Sequence, residues 1–313
     1  MTAPRLLAVS DLHVRHPDNR VLADGLRPLG DDDWLVVAGV VAEEVDDVLA
    51  TLERLCSRFA RVLWTPGNHE LWARRKSREQ VRGVARYQRL VDGARALGVD
   101  TPEDPFPLFP GPDGPVVVAP LFLLYDYSFL PDGAATAEEG LAVAHRAGIV
   151  ATDEYVLHPD PYEGRAQWCA ARVAESRRRL DALDPDLPTV LVNHWPMTRL
   201  PTRALRFPEF ALWCGTTATA DWHVRYRAVA VVYGHLHIPR VTTEDGVPFH
   251  EVSLGYPREW RAREERYGTR VADLLPRQVL PAGAPRPGPR GDRPVPGTTP
   301  TPPPTPPPTP PAR

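Results

Sequence analysis

Four short apolar runs in this chain end on residues that could hold a cation or move a proton. Arg5 to Ser10 runs into Asp11-Leu12-His13. Arg61 to Trp64 leads through Pro66 into Gly67-Asn68-His69-Glu70. Pro188 to Asn193 stops at His194, and Ala228 to Tyr233 stops at Gly234-His235-Leu236-His237. Imidazole nitrogens, carboxylates and amide oxygens are the donors that hard-to-borderline divalent ions take. Each motif alone has a plainer explanation: an Asn after Gly caps a turn, and a single His satisfies a structural hydrogen bond. Delivered together at strand ends, where α/β proteins place their ligands, they suit two ions, each needing several nitrogen and oxygen ligands. A fifth run, Asp33 to Gly39, ends differently: Val40, Val41 and Ala42 follow, and nothing polar appears before Glu43.

Such strand ends need a scaffold of sheets and helices. Glu43 to Phe59 carries Val45, Val48, Leu49, Leu52 and Leu55 at helical spacing, with acids at the positive N-terminus. Ser77 to Leu97 reads as a second helix with two faces. Val81, Val84, Tyr87, Val91 and Ala94 fall on one side, and Arg75, Arg78, Arg82, Arg86 and Arg89 form a stripe on the other. Val116 to Ala119 and Leu121 to Tyr125 read as two short strands split at Pro120. Residues 126–162, rich in Tyr, Asp and Pro, read as an insertion roofing the site, with one short helix near Ala137 to Ala147. Arg165 to Leu183 returns to helix, Thr198 to Trp213 is a long loop, and Thr219 to Tyr226 is a short helix. Arg240 to Val252 is a hairpin turning at Asp245-Gly246. Residues 1–275 therefore form one domain. Residues 276–313, dominated by Pro, Gly, Arg and Thr, favour polyproline II, cannot build a core and are expected to be a disordered tail.

With 313 residues, 42% hydrophobic content and a formal net charge of −3, the chain can bury a large core but has no overall polyanion-binding signature. Nucleic acid is therefore not an expected partner, and attraction to an acidic protein must be local. Eight basic against two acidic residues between Leu71 and Arg95 supply such a patch, although a stripe of this kind is as often a plain solvated face. No run is long enough to span a membrane, and no secretory leader fits. The odd, scattered Cys56, Cys169 and Cys214 suit reduced thiols, so a cytoplasmic protein with no membrane partner is expected.

Taken together, the order Asp11-x-His13, Gly67-Asn68-His69-Glu70, His194 and Gly234-His235-x-His237 resembles the calcineurin-like metallophosphoesterases over residues 5–260. The resemblance implies a four-layer α/β/β/α sandwich around a two-metal centre, with manganese, iron or zinc as the expected ions. Asp11, His13 and His237 would hold one metal, and Asn68, His194 and His235 the other. His69 would stabilise the transition state or protonate the leaving oxygen. The implied reaction is in-line attack of a metal-bound hydroxide on a phosphate mono- or diester.

One departure weighs against the matches. The family's second motif is Gly-Asp-x-x-Asp/Glu, whose first acid bridges both metals, and here it reads Gly39-Val40-Val41-Ala42-Glu43. A valine can neither ligate nor offset the repulsion between two dications about 4 Å apart. The expectation is a folded scaffold with weakened metal binding and severely reduced activity, Val40 itself continuing the strand into the core. Leu121 to Ser128 and Val252 to Trp260 resemble the actinobacterial branch of the family, which takes in a mycobacterial hydrolase of the 4′-phosphopantetheine arm of acyl carrier proteins. On that resemblance the substrate is a phosphodiester on an acidic carrier protein, docked by the arginine stripe. The alternative is a non-catalytic protein that uses the same fold and stripe to bind an acidic partner.

Overall fold

The structure is a computed structural model that describes residues 3–75 and 79–281. In chain order its elements are β1 (Leu6–Val9), α1 (Pro17–Gly25), β2 (Trp34–Val37), α2 (Val45–Cys56), β3 (Arg61–Trp64), α3 (Asn68–Leu71) and α4 (Gly83–Ala96). There follow β4 (Leu108–Gly111), β5 (Gly114–Pro120), α5 (Ala137–Arg146), α6 (Asp153–Val156), α7 (Arg165–Asp181) and β6 (Thr189–Val192). The chain continues through α8 (Trp222–Arg225), β7 (Ala228–Tyr233), β8 (Val241–Glu244), β9 (Val247–Glu251), α9 (Pro257–Tyr267) and β10 (Arg277–Leu280).

Two sheets result, ordered β10-β1-β2-β3 and β4-β5-β6-β7-β9-β8. Residue alternation explains how they stack. Leu6, Ala8, Val36, Ala38 and Leu63 of the first sheet meet Val118, Val190, Val192, Ala230 and Val232 of the second in one buried cluster. Their neighbours Leu7, Val9, Leu35, Val37 and Trp64 point the other way, into a cluster that includes Val48, Leu52 and Leu55 of α2. Helices therefore cover the outer faces, which gives the four layers.

β1, β2 and β3 run parallel, as do β5, β6 and β7. All six therefore end at one edge, where the polar motifs collect. The sheets are tied there by a bridge between Ser10 and Ser253 and by the Leu254 amide donating to the Ser10 carbonyl at 2.8 Å.

Several expectations need correcting. β10 lies beyond residue 275 and pairs antiparallel with β1, so the domain extends past the boundary read from composition. Its four residues, Arg277-Gln-Val-Leu280, are flanked by Pro276 and Pro281 and bury only Val279 deeply, which hides the strand among prolines. Most of the expected tail, residues 282–313, lies outside the described residues. Leu121 to Tyr125 is buried but not a strand: the chain leaves the sheet after Pro120, and Leu124 takes a left-handed φ of 59°. α4 starts at Gly83, later than the Ser77 expected, because Gly83 adopts φ 62° against the Asp160 backbone. Among the described residues no helix is long and apolar enough to cross a membrane.

Candidate metal centre

β1 and β7 deliver the first group. Asp11 Oδ1 lies 3.1 Å from His237 Nε2, and His13 Nε2 lies 3.2 Å from the same His237 atom. The other Asp11 oxygen, Oδ2, accepts from the hydroxyls of Ser10 and Ser253, each at 2.7 Å, and from the His235 amide at 3.0 Å. Those three donors fix the carboxylate so that Oδ1 faces the imidazoles. Gly234 permits this approach, since a Cβ there would collide with Ser10 Oγ and Asp11 Oδ2. His237 is held from behind by Glu259 Oε2, 2.8 Å from its Nδ1. Burial disfavours an imidazolium at this position, yet Asp11 and Glu259 raise the pKa of His237 to about 10. Burial likewise works to raise the Asp11 pKa, but His237, His194 and His13 hold it well below the usual carboxylate range.

β3 and β6 deliver the second group. His194 Nδ1 lies 2.9 Å from the Ala38 carbonyl, which accepts its proton and leaves Nε2 with a lone pair. That Nε2 lies 3.3 Å from Asn68 Oδ1. The Asn68 amide nitrogen donates the other way, to Asp153 Oδ1 at 2.9 Å. His235 completes the group, its ring 5.2 Å from that of His194, with Nε2 buried and unpartnered. Burial drives the His194 pKa down to about 4 and lowers that of His235, aided there by His194, so both rings are neutral.

These residues fit divalent ions. Metals need neutral imidazole and carbonyl oxygen with free lone pairs. In the second group two lone pairs, on His194 Nε2 and Asn68 Oδ1, face each other at 3.3 Å with no proton between them. A cation relieves that arrangement. In the first group Asp11, His13 and His237 present ligand atoms all within 4.8 Å of one another. Asp11, His13, His235 and His237 all adopt left-handed backbone conformations, with φ between 43° and 70°, in the sharp turns that aim these side chains.

Val40 adjoins residues of both groups. Its carbonyl accepts from the His13 amide, and a Cβ on Gly67 would strike its Cγ2. The side chain is 1% exposed and offers only methyl groups. It does not continue β2, which stops at Val37: its φ is 54°, the left-handed region that Asp tolerates and a β-branched residue pays for. The loop is instead pinned by Glu70, whose carboxylate accepts from the amides of Val40 (3.0 Å), Val41 (2.7 Å) and Gly67 (3.0 Å). Burial raises the Glu70 pKa to about 7 against those hydrogen bonds.

His69 stacks on Trp72 at 3.5 Å between ring centroids, and its Nδ1 lies 3.4 Å from Glu43 Oε1. Burial lowers its pKa, and Glu43 offsets this only in part. With Nδ1 turned to Glu43, Nε2 is the nitrogen left to meet a substrate.

The arginine stripe does not survive as drawn. Arg86 is fully buried; its guanidinium donates to the Glu70 carbonyl at 2.6 Å and to the Glu43 carbonyl at 2.5 Å, tying α3 to the loop before α2. It presents nothing to a partner. Arg75, Arg82 and Arg89 are exposed, Arg82 pairing with Asp160 and Arg89 with Glu79. Arg78 lies outside the described residues. Sequence reasoning missed Asp153, Glu259, Ser10 and Ser253, whose only local signals were those of ordinary helix starts and strand ends.

The family described as calcineurin-like phosphoesterase matches residues 4–239. The acyl-carrier-protein phosphodiesterase PptH of Mycobacterium tuberculosis is 56% identical over 261 residues, covering 83% of this chain and 81% of that protein. The crystal structure of the phosphopantetheinyl hydrolase from the same organism superposes with a TM-score of 0.85 and 53% identity, covering 91% of this chain and 99% of that one.

Proposed function

The chain belongs to the calcineurin-like phosphoesterases, a family that implies divalent metal ions, and from that premise we propose a phosphodiesterase acting on the phosphopantetheine arm of an acyl carrier protein, slowed by Val40. One observation carries the hydrolytic reading: Asp11, His13 and His237 converge beside Asn68, His194 and His235 at a single sheet edge. Bound there, two metal ions would activate water and neutralise phosphate charge. The protein's own residues do the rest. Asp11 is locked by Ser10 and Ser253, His194 is kept in one tautomer by Ala38, and His69 is held by Trp72 and Glu43 with Nε2 toward the leaving oxygen. The carrier-protein substrate is taken from the relatives named above. Arg75, Arg78, Arg82 and Arg89, without Arg86, remain the proposed docking residues for its acidic surface.

The proposal of reduced turnover rests on the sequence and on burial: Val40 stands where the family's second motif has a carboxylate, and its side chain is 1% exposed and packs against Gly67. The test is mass spectrometry of a phosphopantetheinylated carrier protein incubated with manganese and the Val40→Asp chain. Loss of the arm is expected. Hydrolysis of bis-p-nitrophenyl phosphate with an intact carrier would remove the substrate assignment. A folded, metal-loaded Val40→Asp chain that cleaves neither would favour the binding-protein alternative.

A further inference from the structure

We propose that Asp153, in the insertion and outside every recognised motif, is a positioning residue that sets the direction of the Asn68 amide and the seat of His69. The proposal rests on the reading of Asn68 as an ion ligand. An asparagine side chain can rotate half a turn at little cost, exchanging its oxygen for its nitrogen. Rotated, Asn68 would donate its NH2 to the His194 Nε2 lone pair 3.3 Å away. That hydrogen bond would satisfy both groups and close the site to a cation. A carboxylate only accepts, so Asp153 Oδ1 at 2.9 Å selects the orientation with nitrogen outward and oxygen toward His194.

The same oxygen accepts from Trp72 Nε1 at 2.7 Å, and the Trp72 indole forms the platform on which His69 stacks at 3.5 Å. One buried oxygen therefore orients both a proposed ligand and the proposed acid. Asp153 is itself anchored: it is 2% exposed and opens α6, and its carbonyl accepts from Arg165 at 2.7 Å and from the Leu157 amide at 3.0 Å. Trp72 and Leu157 form a bridge that binds the insertion to the end of α3. The other Asp153 oxygen, Oδ2, is buried without a hydrogen-bond partner, so the contacts of this carboxylate run through Oδ1.

The experiment compares Asp153→Ala and Asp153→Asn, each in this chain and in Val40→Asp. Asparagine keeps an oxygen able to accept from both Asn68 and Trp72; alanine does not. Without metal, 15N NMR of the Asn68 side-chain amide reads the hydrogen bond directly. A slowly exchanging NH2 pair is expected in the starting chains and in Asp153→Asn, and its collapse in Asp153→Ala. With manganese, Asp153→Ala in the Val40→Asp chain should weaken the second ion by about 10–100-fold and leave the first unchanged, as removal of an outer partner does elsewhere. An unchanged NH2 pair in Asp153→Ala, or equal loss of both ions, would overturn the proposal. If no chain takes up manganese, the metal reading of the site falls, and the amide signal alone decides the role of Asp153.

Discussion

The two ligand groups lie side by side at one sheet edge, yet they are built on opposite electrostatic principles. Around His237 the protein gathers charge: Asp11 in front, Glu259 behind, and three donors that fix the Asp11 carboxylate. Around His194 it gathers neutral donors, an amide oxygen and two uncharged imidazoles; Asp11 acts on them from the first group, and Asp153 holds the Asn68 amide from behind. The first group carries its own counter-charge. On the function proposed above, the second would rely on a bridging carboxylate, which Val40 does not supply. Losing one bridging side chain should therefore harm the two groups unequally, and the group without a carboxylate should fail first.

The largest effect is expected from Val40→Asp, which returns a carboxylate to the shared position in a backbone conformation that Asp accepts more readily than Val. Its hydrolysis of bis-p-nitrophenyl phosphate with manganese should exceed that of this chain by at least about 100-fold, the upper end of what even outer ligand partners contribute. Equal rates in the two chains would remove Val40 from the account.

Next comes the pH dependence of metal uptake by the first group. With its pKa raised to about 10 by Asp11 and Glu259, against the desolvation that lowers it, His237 must lose a proton before it can ligate. Affinity should therefore rise with pH, by about tenfold per unit between pH 6 and 9 for one released proton. The second group, whose imidazoles burial keeps neutral, should show a flat dependence over the same range. Calorimetry in buffers of different ionisation enthalpy counts the protons, and proton release from both groups alike would dissolve the contrast.

A smaller effect concerns stability. Arg86→Met leaves the Glu70 and Glu43 carbonyls without their donor, at a cost of about 2–3 kcal/mol, and should be read as a lower urea midpoint. The smallest is expected at the exposed arginines. Arg82→Ala breaks a solvent-exposed pair and Arg89→Ala a half-buried one, and each should change stability by less than about 1 kcal/mol. If the face docks a carrier protein, together they should raise KM for that substrate and leave bis-p-nitrophenyl phosphate untouched.

The same contrast bears on how far the sequence could be read. The strand ends were legible because a short continuous apolar run is a strand buried on both faces, and a polar residue that follows it lies at the sheet edge. Asp11, His13, His194, His235 and His237 all follow that logic. The distance between Arg86 and its stripe neighbours was not legible. Helical spacing places Arg82, Arg86 and Arg89 near one another, but only the packing of α4 against α3 and the loop before α2 shows that Arg86 turns inward to two carbonyls. Asp153 was hidden for a related reason. An acid opening a short helix looks like any helix start, and its partner Asn68 is 85 residues away in sequence. Leu121 to Tyr125 misled in the other direction: an apolar run guarantees burial, and here burial comes from packing against Tyr87, Trp168 and Trp195 and not from pairing in the sheet.

Manganese stoichiometry separates two unequal groups, as proposed for a chain with Val40 at the bridging position, from two equal ones. Electron paramagnetic resonance titration of this chain and of Val40→Asp would count the ions and report whether they couple magnetically. One tightly held ion is expected in this chain, and two coupled ions in Val40→Asp. Two equally held, coupled ions in this chain would contradict the proposal.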